Sequence, residues 1–115
     1  MRHLIIFLLL LGVLFVVVRM LKKSPSTAIT ADVISRSYIV DVRQPEEFAA
    51  GHFAGAVTIP LGDIEGHVSA LKAQKKPIIV YCRSGNRSGQ AKEVLAKHGV
   101  SVLNGINQKT LESAK

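Results

Sequence analysis

The chain has 115 residues, 48% of them apolar and 20% charged, with one cysteine, no tryptophan and a formal charge of +7. That length holds one domain with a modest core, and a single cysteine excludes any disulfide within the chain. The positive balance does not point to nucleic acid: residues 1–23 carry +4 of it, the aromatic fraction is only 5%, and no Lys/Arg-rich run follows.

Leu4 to Val18 is a run of fifteen residues without a charge. As a helix it covers about 22 Å, short of a hydrocarbon core of about 30 Å. If Arg19 snorkels, Met20 and Leu21 lengthen the run, and a transmembrane helix is expected over residues 4–21 within an anchor at 1–23. A cleaved signal peptide is the alternative, with Ser26-Thr27-Ala28 as its small-residue site; Arg19, Lys22 and Lys23 before that site oppose it. These three charges outnumber Arg2, so the positive-inside rule puts the following domain in the cytoplasm, on a single-pass protein of the inner (cell) membrane. Residues 24–27 read as a polar linker and 28–115 as the folded domain.

Within the domain short helices and strands alternate. Thr30 caps a helix over Ala31–Ser35. Tyr38–Val42 reads as a buried strand, Gln44–Ala50 as a short helix with Pro45 in its first turn and acids at its positive end, and Gly51 as its stop. Val57–Ile59 is a brief strand, and Ile64–Lys72 a helix with Ile64, Val68 and Leu71 on one face. Pro77–Tyr81 is an apolar strand, Gly89–Lys97 an amphipathic helix closed by Gly99, and Val100–Leu103 the last strand. Lys109–Lys115 reads as a polar tail that frays. This alternation predicts an α/β fold, a mainly parallel sheet flanked by helices.

The chemistry concentrates between the third strand and its helix, in Cys82-Arg83-Ser84-Gly85-Asn86-Arg87-Ser88. A tight loop entering a helix N-terminus turns backbone N–H groups toward an anion, and the helix end adds partial positive charge. Arg83 and Arg87 bring two more charges. Such surroundings favour the thiolate, which is the nucleophile. A lone cysteine after an apolar strand is ordinarily an inert core residue, but a core cysteine has no need of cationic neighbours that burial would leave unpaired.

Cys82-Arg83-Ser84-Gly85-Asn86-Arg87 resembles the six-residue active-site loop of the rhodanese sulfurtransferases. Asp41-Val42-Arg43, Glu46-Glu47-Phe48, Gly51-His52-Phe53-Ala54-Gly55-Ala56 and Ile59-Pro60 match further marks of that family in order, and Ser88-Gly89-Gln90-Ala91-Lys92 is similar to the small single-domain rhodaneses of the bacterial phage-shock type. The resemblance covers residues 28 to 105. It implies a sulfurtransferase in which Cys82 takes a sulfane sulfur from an anionic donor such as thiosulfate, holds it as a persulfide and passes it to a thiophilic acceptor, cyanide or a thiol. Arg83, Ser84, Gly85, Asn86, Arg87 and Ser88 are then the substrate-binding residues, with Ser88 equally readable as a helix N-cap. Asp41, Arg43 and His52 read as structural support, tying loops by an ion pair and a hydrogen bond. The phage-shock resemblance also implies export, which leaves a periplasmic location as the alternative to the cytoplasmic one.

No metal or organic cofactor is expected, since the four histidines are scattered without ligand spacing. Two rival functions stay open. A phosphatase or arsenate reductase of related fold needs an arginine after five intervening residues, where this chain has Ser88; its shorter loop suits a single sulfur atom. A persulfide relay or docking module for a partner protein is the other. It draws weight from Asn104-Gly105-Ile106-Asn107, which departs from the Gly-Gly pair and downstream Trp of many rhodaneses.

Overall fold

The computed structural model describes the backbone of residues 1–21 and 28–115, and the side chains of 1–17 and 28–115. The expected linker at 24–27 lies outside the described residues. Helix α1 runs Arg2–Leu21. The large apolar side chains from Leu4 to Val17 are exposed all round, from 44% at Val17 to 64% at Leu9 and Phe15. Among the described residues, however, no helix is long and apolar enough to cross a membrane. The transmembrane span expected over residues 4–21 is corrected accordingly. Leu4 to Val17 cover about 21 Å of helix against about 30 Å of hydrocarbon, and the extension through Arg19, Met20 and Leu21 rests on side chains outside the described set.

The domain is built on four strands, β1 (Tyr38–Asp41), β2 (Val57–Thr58), β3 (Ile78–Cys82) and β4 (Leu103–Asn107), all parallel and ordered β2-β1-β3-β4. Around them lie α2 (Ala31–Arg36), α3 (Pro45–Ala50), a 3-10 segment (Leu61–His67) leading into α4 (Val68–Lys72), α5 (Asn86–Lys97) and α6 (Gln108–Ser113). Strand β3 is buried along its whole length, as its unbroken apolar run requires of a central parallel strand. Its side chains alternate between two cores. Ile78, Val80 and Cys82 join Ile64, Leu71, Ala91 and Leu95 on one face. Ile79 and Tyr81 join Ile34, Ile39, Phe53 and Leu111 on the other. That alternation puts Cys82 beneath α5 and Tyr81 on the opposite side of the sheet.

Most element ends shift by a residue or two, and the helix expected over Ile64–Lys72 is 3-10 as far as His67; three further differences are larger. Helix α5 starts at Asn86, three residues before Gly89, with Gly85 as its N-cap at φ 91°. The last strand is Leu103–Asn107 and not Val100–Leu103; Val100 and Val102 instead fill the core beside α5. The tail is a helix and does not fray: Asn107 Oδ1 accepts from Thr110 N–H at 2.8 Å to cap α6, Leu111 is fully buried, and the Lys115 ammonium lies 4.8 Å from the Phe53 ring centre. One large apolar residue and a good cap are enough to dock six residues.

Strand β4 also carries an irregularity that matters for the site. Its register to β3 shifts between Val80 and Tyr81: Val80 pairs with Asn104, but Tyr81 pairs with Ile106. Gly105 is the extra residue of this bulge. A Cβ there would come within 2.9 Å of both Ile79 Cγ2 and Leu111 Cδ2, so only glycine fits without displacing the core.

Candidate active site

Cys82 ends β3 and is 1% exposed. The chain then needs only Arg83, Ser84 and Gly85 to enter α5. Gly85 offers no side chain to cap the helix, and the first-turn N–H groups of a helix need acceptors from outside it. The sulfur supplies one. Cys82 Sγ accepts the Gly85 N–H at 3.1 Å and the Ser88 N–H at 3.4 Å, and it also contacts Ser88 Oγ at 3.4 Å. In effect the thiol stands where a capping serine or aspartate oxygen would stand. An anionic sulfur gains most from that position, through charge-assisted hydrogen bonds and the helix dipole.

Burial by itself pushes the Cys82 thiol up. The Ser88 hydroxyl when it is turned toward the sulfur, the Ser88 N–H and the N–H groups of Ser84 and Gly85 outweigh it and hold the thiol below its ordinary value. The left-handed backbone at Gly85 makes this loop possible, and a Cβ on Gly85 would sit 3.1 Å from Ile106 Cγ2. Glycine is thus fixed there both by conformation and by space.

The expected site residues separate into two groups. Ser88 and Gly85 touch the sulfur. Ser88 is fully buried inside α5, so its reading as an N-cap is corrected: Gly85 occupies that place. Arg83, Ser84 and Asn86 are exposed on the loop and first turn. Arg87 points to α3, where Glu47 Oε1 and Oε2 accept from Nη1 at 2.6 Å and Nη2 at 3.0 Å. The Arg87 bond holds Glu47 far below the usual carboxylate range, at about 2, and Glu47 raises Arg87 in turn.

Asp41, Arg43 and His52 form the scaffold behind, with no hydrogen bond to Cys82 among the described residues. Asp41 is fully buried. Its Oδ1 accepts from Arg43 N–H at 2.9 Å, and Arg43 Nη2 reaches Oδ2 at 2.7 Å and the Gly51 carbonyl at 2.7 Å. The bond to Asp41 raises Arg43. Tyr81 hydroxyl donates to Asp41 Oδ2 at 3.0 Å and accepts from Phe53 N–H at 2.9 Å; burial pushes this phenol up to about 12. His52 Nδ1 lies 2.9 Å from the Phe48 carbonyl, and its ring stacks on Phe48 at 3.7 Å. Among the described residues no group of three or more His, Cys, Asp or Glu could hold a metal ion.

Three residues that matter were not singled out in the sequence as site residues. Glu47 read as a partner of the helix dipole, Tyr81 as the end of an apolar strand, and Asn104 as part of an unfamiliar segment. Yet Asn104 Oδ1 accepts from Ser88 Oγ at 2.7 Å, and its Nδ2 donates to the Gly85 carbonyl at 3.2 Å.

The rhodanese-like domain model matches residues 23–108. The chain belongs to the rhodanese-like domain family. Among sequence relatives of this rhodanese-like domain are the uncharacterized protein YqhL of Bacillus subtilis, 38% identical over 68 residues, and the thiosulfate sulfurtransferase PspE of Escherichia coli, 37% identical over 68 residues. These alignments cover 59% and 58% of the chain, and 53% and 65% of the respective relatives. A solved rhodanese with anions from E. coli superposes with a TM-score of 0.53 at 35% identity, over 59% of this chain and 81% of that one. The α/β fold with its parallel sheet is that of the family.

Proposed function

We propose that the protein is a sulfurtransferase working through a persulfide on Cys82. The observation that carries this reading is the seat of the sulfur, which accepts the Gly85 and Ser88 N–H groups at the start of α5. The Cys82 thiolate attacks the outer sulfur of thiosulfate; the sulfur–sulfur bond of the donor breaks, sulfite leaves with the electron pair, and Cys82–S–S⁻ remains. A thiophilic acceptor, cyanide or a thiol, then attacks the outer sulfur and restores the thiolate, giving ping-pong kinetics. Arg87, fixed by Glu47, and the exposed Arg83 offset the charge of the incoming donor. The name of the E. coli relative, thiosulfate sulfurtransferase, supports this choice of donor.

Intact-mass spectrometry after incubation with thiosulfate tests the proposal. A gain of one sulfur atom on the wild type, absent in Cys82→Ser and removed by cyanide, is the expected result. No gain in mass overturns the persulfide and returns the phosphatase reading. A gain without turnover of free thiosulfate favours a relay to a partner protein.

We further propose that α1 associates the domain with the cell membrane, with the domain on its cytoplasmic face. The exposed apolar side chains from Leu4 to Val17 support this, as do Arg19, Lys22 and Lys23 after them. Fractionation with alkaline extraction, followed by protease protection of inverted vesicles, tests both parts; recovery of the chain in the soluble fraction overturns them.

A further inference from the structure

The proton of Ser88 is committed to a residue outside the cysteine loop. Asn104 stands on β4 opposite Val80. Its amide is oriented by two backbone groups: Ile106 N–H donates to Oδ1 at 2.9 Å, and Nδ2 donates to the Gly85 carbonyl at 3.2 Å. Turning the amide over would set donor against donor and acceptor against acceptor. Oδ1 has no proton, so the 2.7 Å contact with Ser88 Oγ is a bond that the serine donates. A serine hydroxyl has only one proton. While Asn104 holds it, the 3.4 Å contact between Ser88 Oγ and Cys82 Sγ can be filled only by the thiol donating to the serine.

The arrangement therefore fits the neutral thiol. A thiolate has no proton to give and needs the hydroxyl turned toward it, which leaves Oδ1 with the Ile106 N–H alone. In a persulfide the charge moves to the outer sulfur, and the hydroxyl is free to return to Asn104. We propose that Asn104 is a positioning residue that competes with Cys82 for the Ser88 proton and so sets how readily the sulfur ionises. It stabilises the thiol and the persulfide relative to the thiolate between them. This inference rests on Cys82 being the sulfur-carrying nucleophile, but its test reads ionisation and not transfer.

The charged groups on the elements packed around the site are few. Arg83 and Arg87 come from the loop and first turn of α5, and Glu47 from α3 is paired with Arg87. Asp41 and Arg43 are paired with each other beside Tyr81. Strand β4 brings no titratable side chain, so a change at Asn104 acts through hydrogen bonding.

The test is a pH titration of thiolate ultraviolet absorbance on the full chain, with Cys82→Ser as blank. Asn104→Ala is expected to raise the thiolate-to-thiol ratio at a fixed pH roughly three- to tenfold, the effect of one ordinary hydrogen bond. Ser88→Ala is expected to lower it, and the double variant to match Ser88→Ala. A fall or no change in Asn104→Ala overturns the inference, as does an equal rise in the Ser88→Ala background. Should Asn104→Ala fail to fold, Asn104→Asp keeps the acceptor and strengthens its hold on the serine. That variant is expected to lower the ratio, and by less when Ser88 is alanine; an unchanged ratio, or an equal fall in both backgrounds, overturns the competition.

Discussion

On its β1 side, strand β3 is paired without interruption from Tyr38–Ile78 to Asp41–Tyr81, and the end of that ladder is closed by charge: Asp41 with Arg43, then Glu47 with Arg87. On its β4 side the register slips by one residue at Gly105, and the end is closed by one neutral amide, Asn104, with Ile106 beside it. Ile106 is held at φ 69°, a left-handed backbone that a β-branched residue adopts only at a cost. The charged flank sets where the loop stands; the neutral flank touches the residue that touches the sulfur. Rigidity and chemical tuning are thus divided between the two neighbours of a single strand.

The comparison breaks most severely at Asp41. Asp41→Ala leaves Arg43, whose side chain is only 13% exposed, and the Tyr81 hydroxyl without their shared acceptor; a loss of about 3–5 kcal/mol is expected in urea unfolding. On the neutral flank Gly105→Ala pushes a methyl group into Ile79 and Leu111. It should cost about 1–3 kcal/mol by the same measurement. Ile106→Gly has the opposite sign: releasing the left-handed strain should stabilise the fold by about 1 kcal/mol. Equal losses from all three substitutions would erase the distinction between the flanks.

The smallest effect concerns Glu47, whose pair with Arg87 is partly open to solvent. Glu47→Gln should cost under about 1 kcal/mol near neutral pH, while raising the KM for the proposed donor, thiosulfate, through a loosened Arg87. The pH dependence has a definite direction. The folded carboxyl ionises at about 2 against 4.5 for a free one, so the pair's contribution is fully present above about pH 4.5 and is lost as the pH falls through about 2. Acid unfolding curves of wild type and Glu47→Gln should converge across that window.

Much of the charged flank was legible in the sequence because it is local or apolar. Tyr38–Val42 and Pro77–Tyr81 are strong strand signals, and Asp41 and Arg43 are two residues apart. Arg87 and Glu47 are separated by forty positions, and nothing in local patterning links them. The neutral flank was harder still. Leu103-Asn104-Gly105-Ile106-Asn107 has little intrinsic strand preference, and it is a strand because a bulge, a buried glycine and Leu111 hold it against β3. The start of α5 was misplaced for a related reason. The group that accepts its first-turn N–H bonds is the sulfur six residues before Ser88, not a capping side chain beside it.

The depth of Cys82 has a consequence for which bond an acceptor breaks. With Cys82 only 1% exposed as a residue, the carbon-bound sulfur of the proposed persulfide would lie under the loop, and the outer atom would face an incoming thiol. Attack on the inner sulfur would expel hydrosulfide and leave the enzyme as a mixed disulfide, spent until some other thiol rescued it. Attack on the outer sulfur returns a free cysteine. Burial closes the first course, so the depth that makes the sulfur harder to ionise also protects the catalyst from capture by its own acceptor.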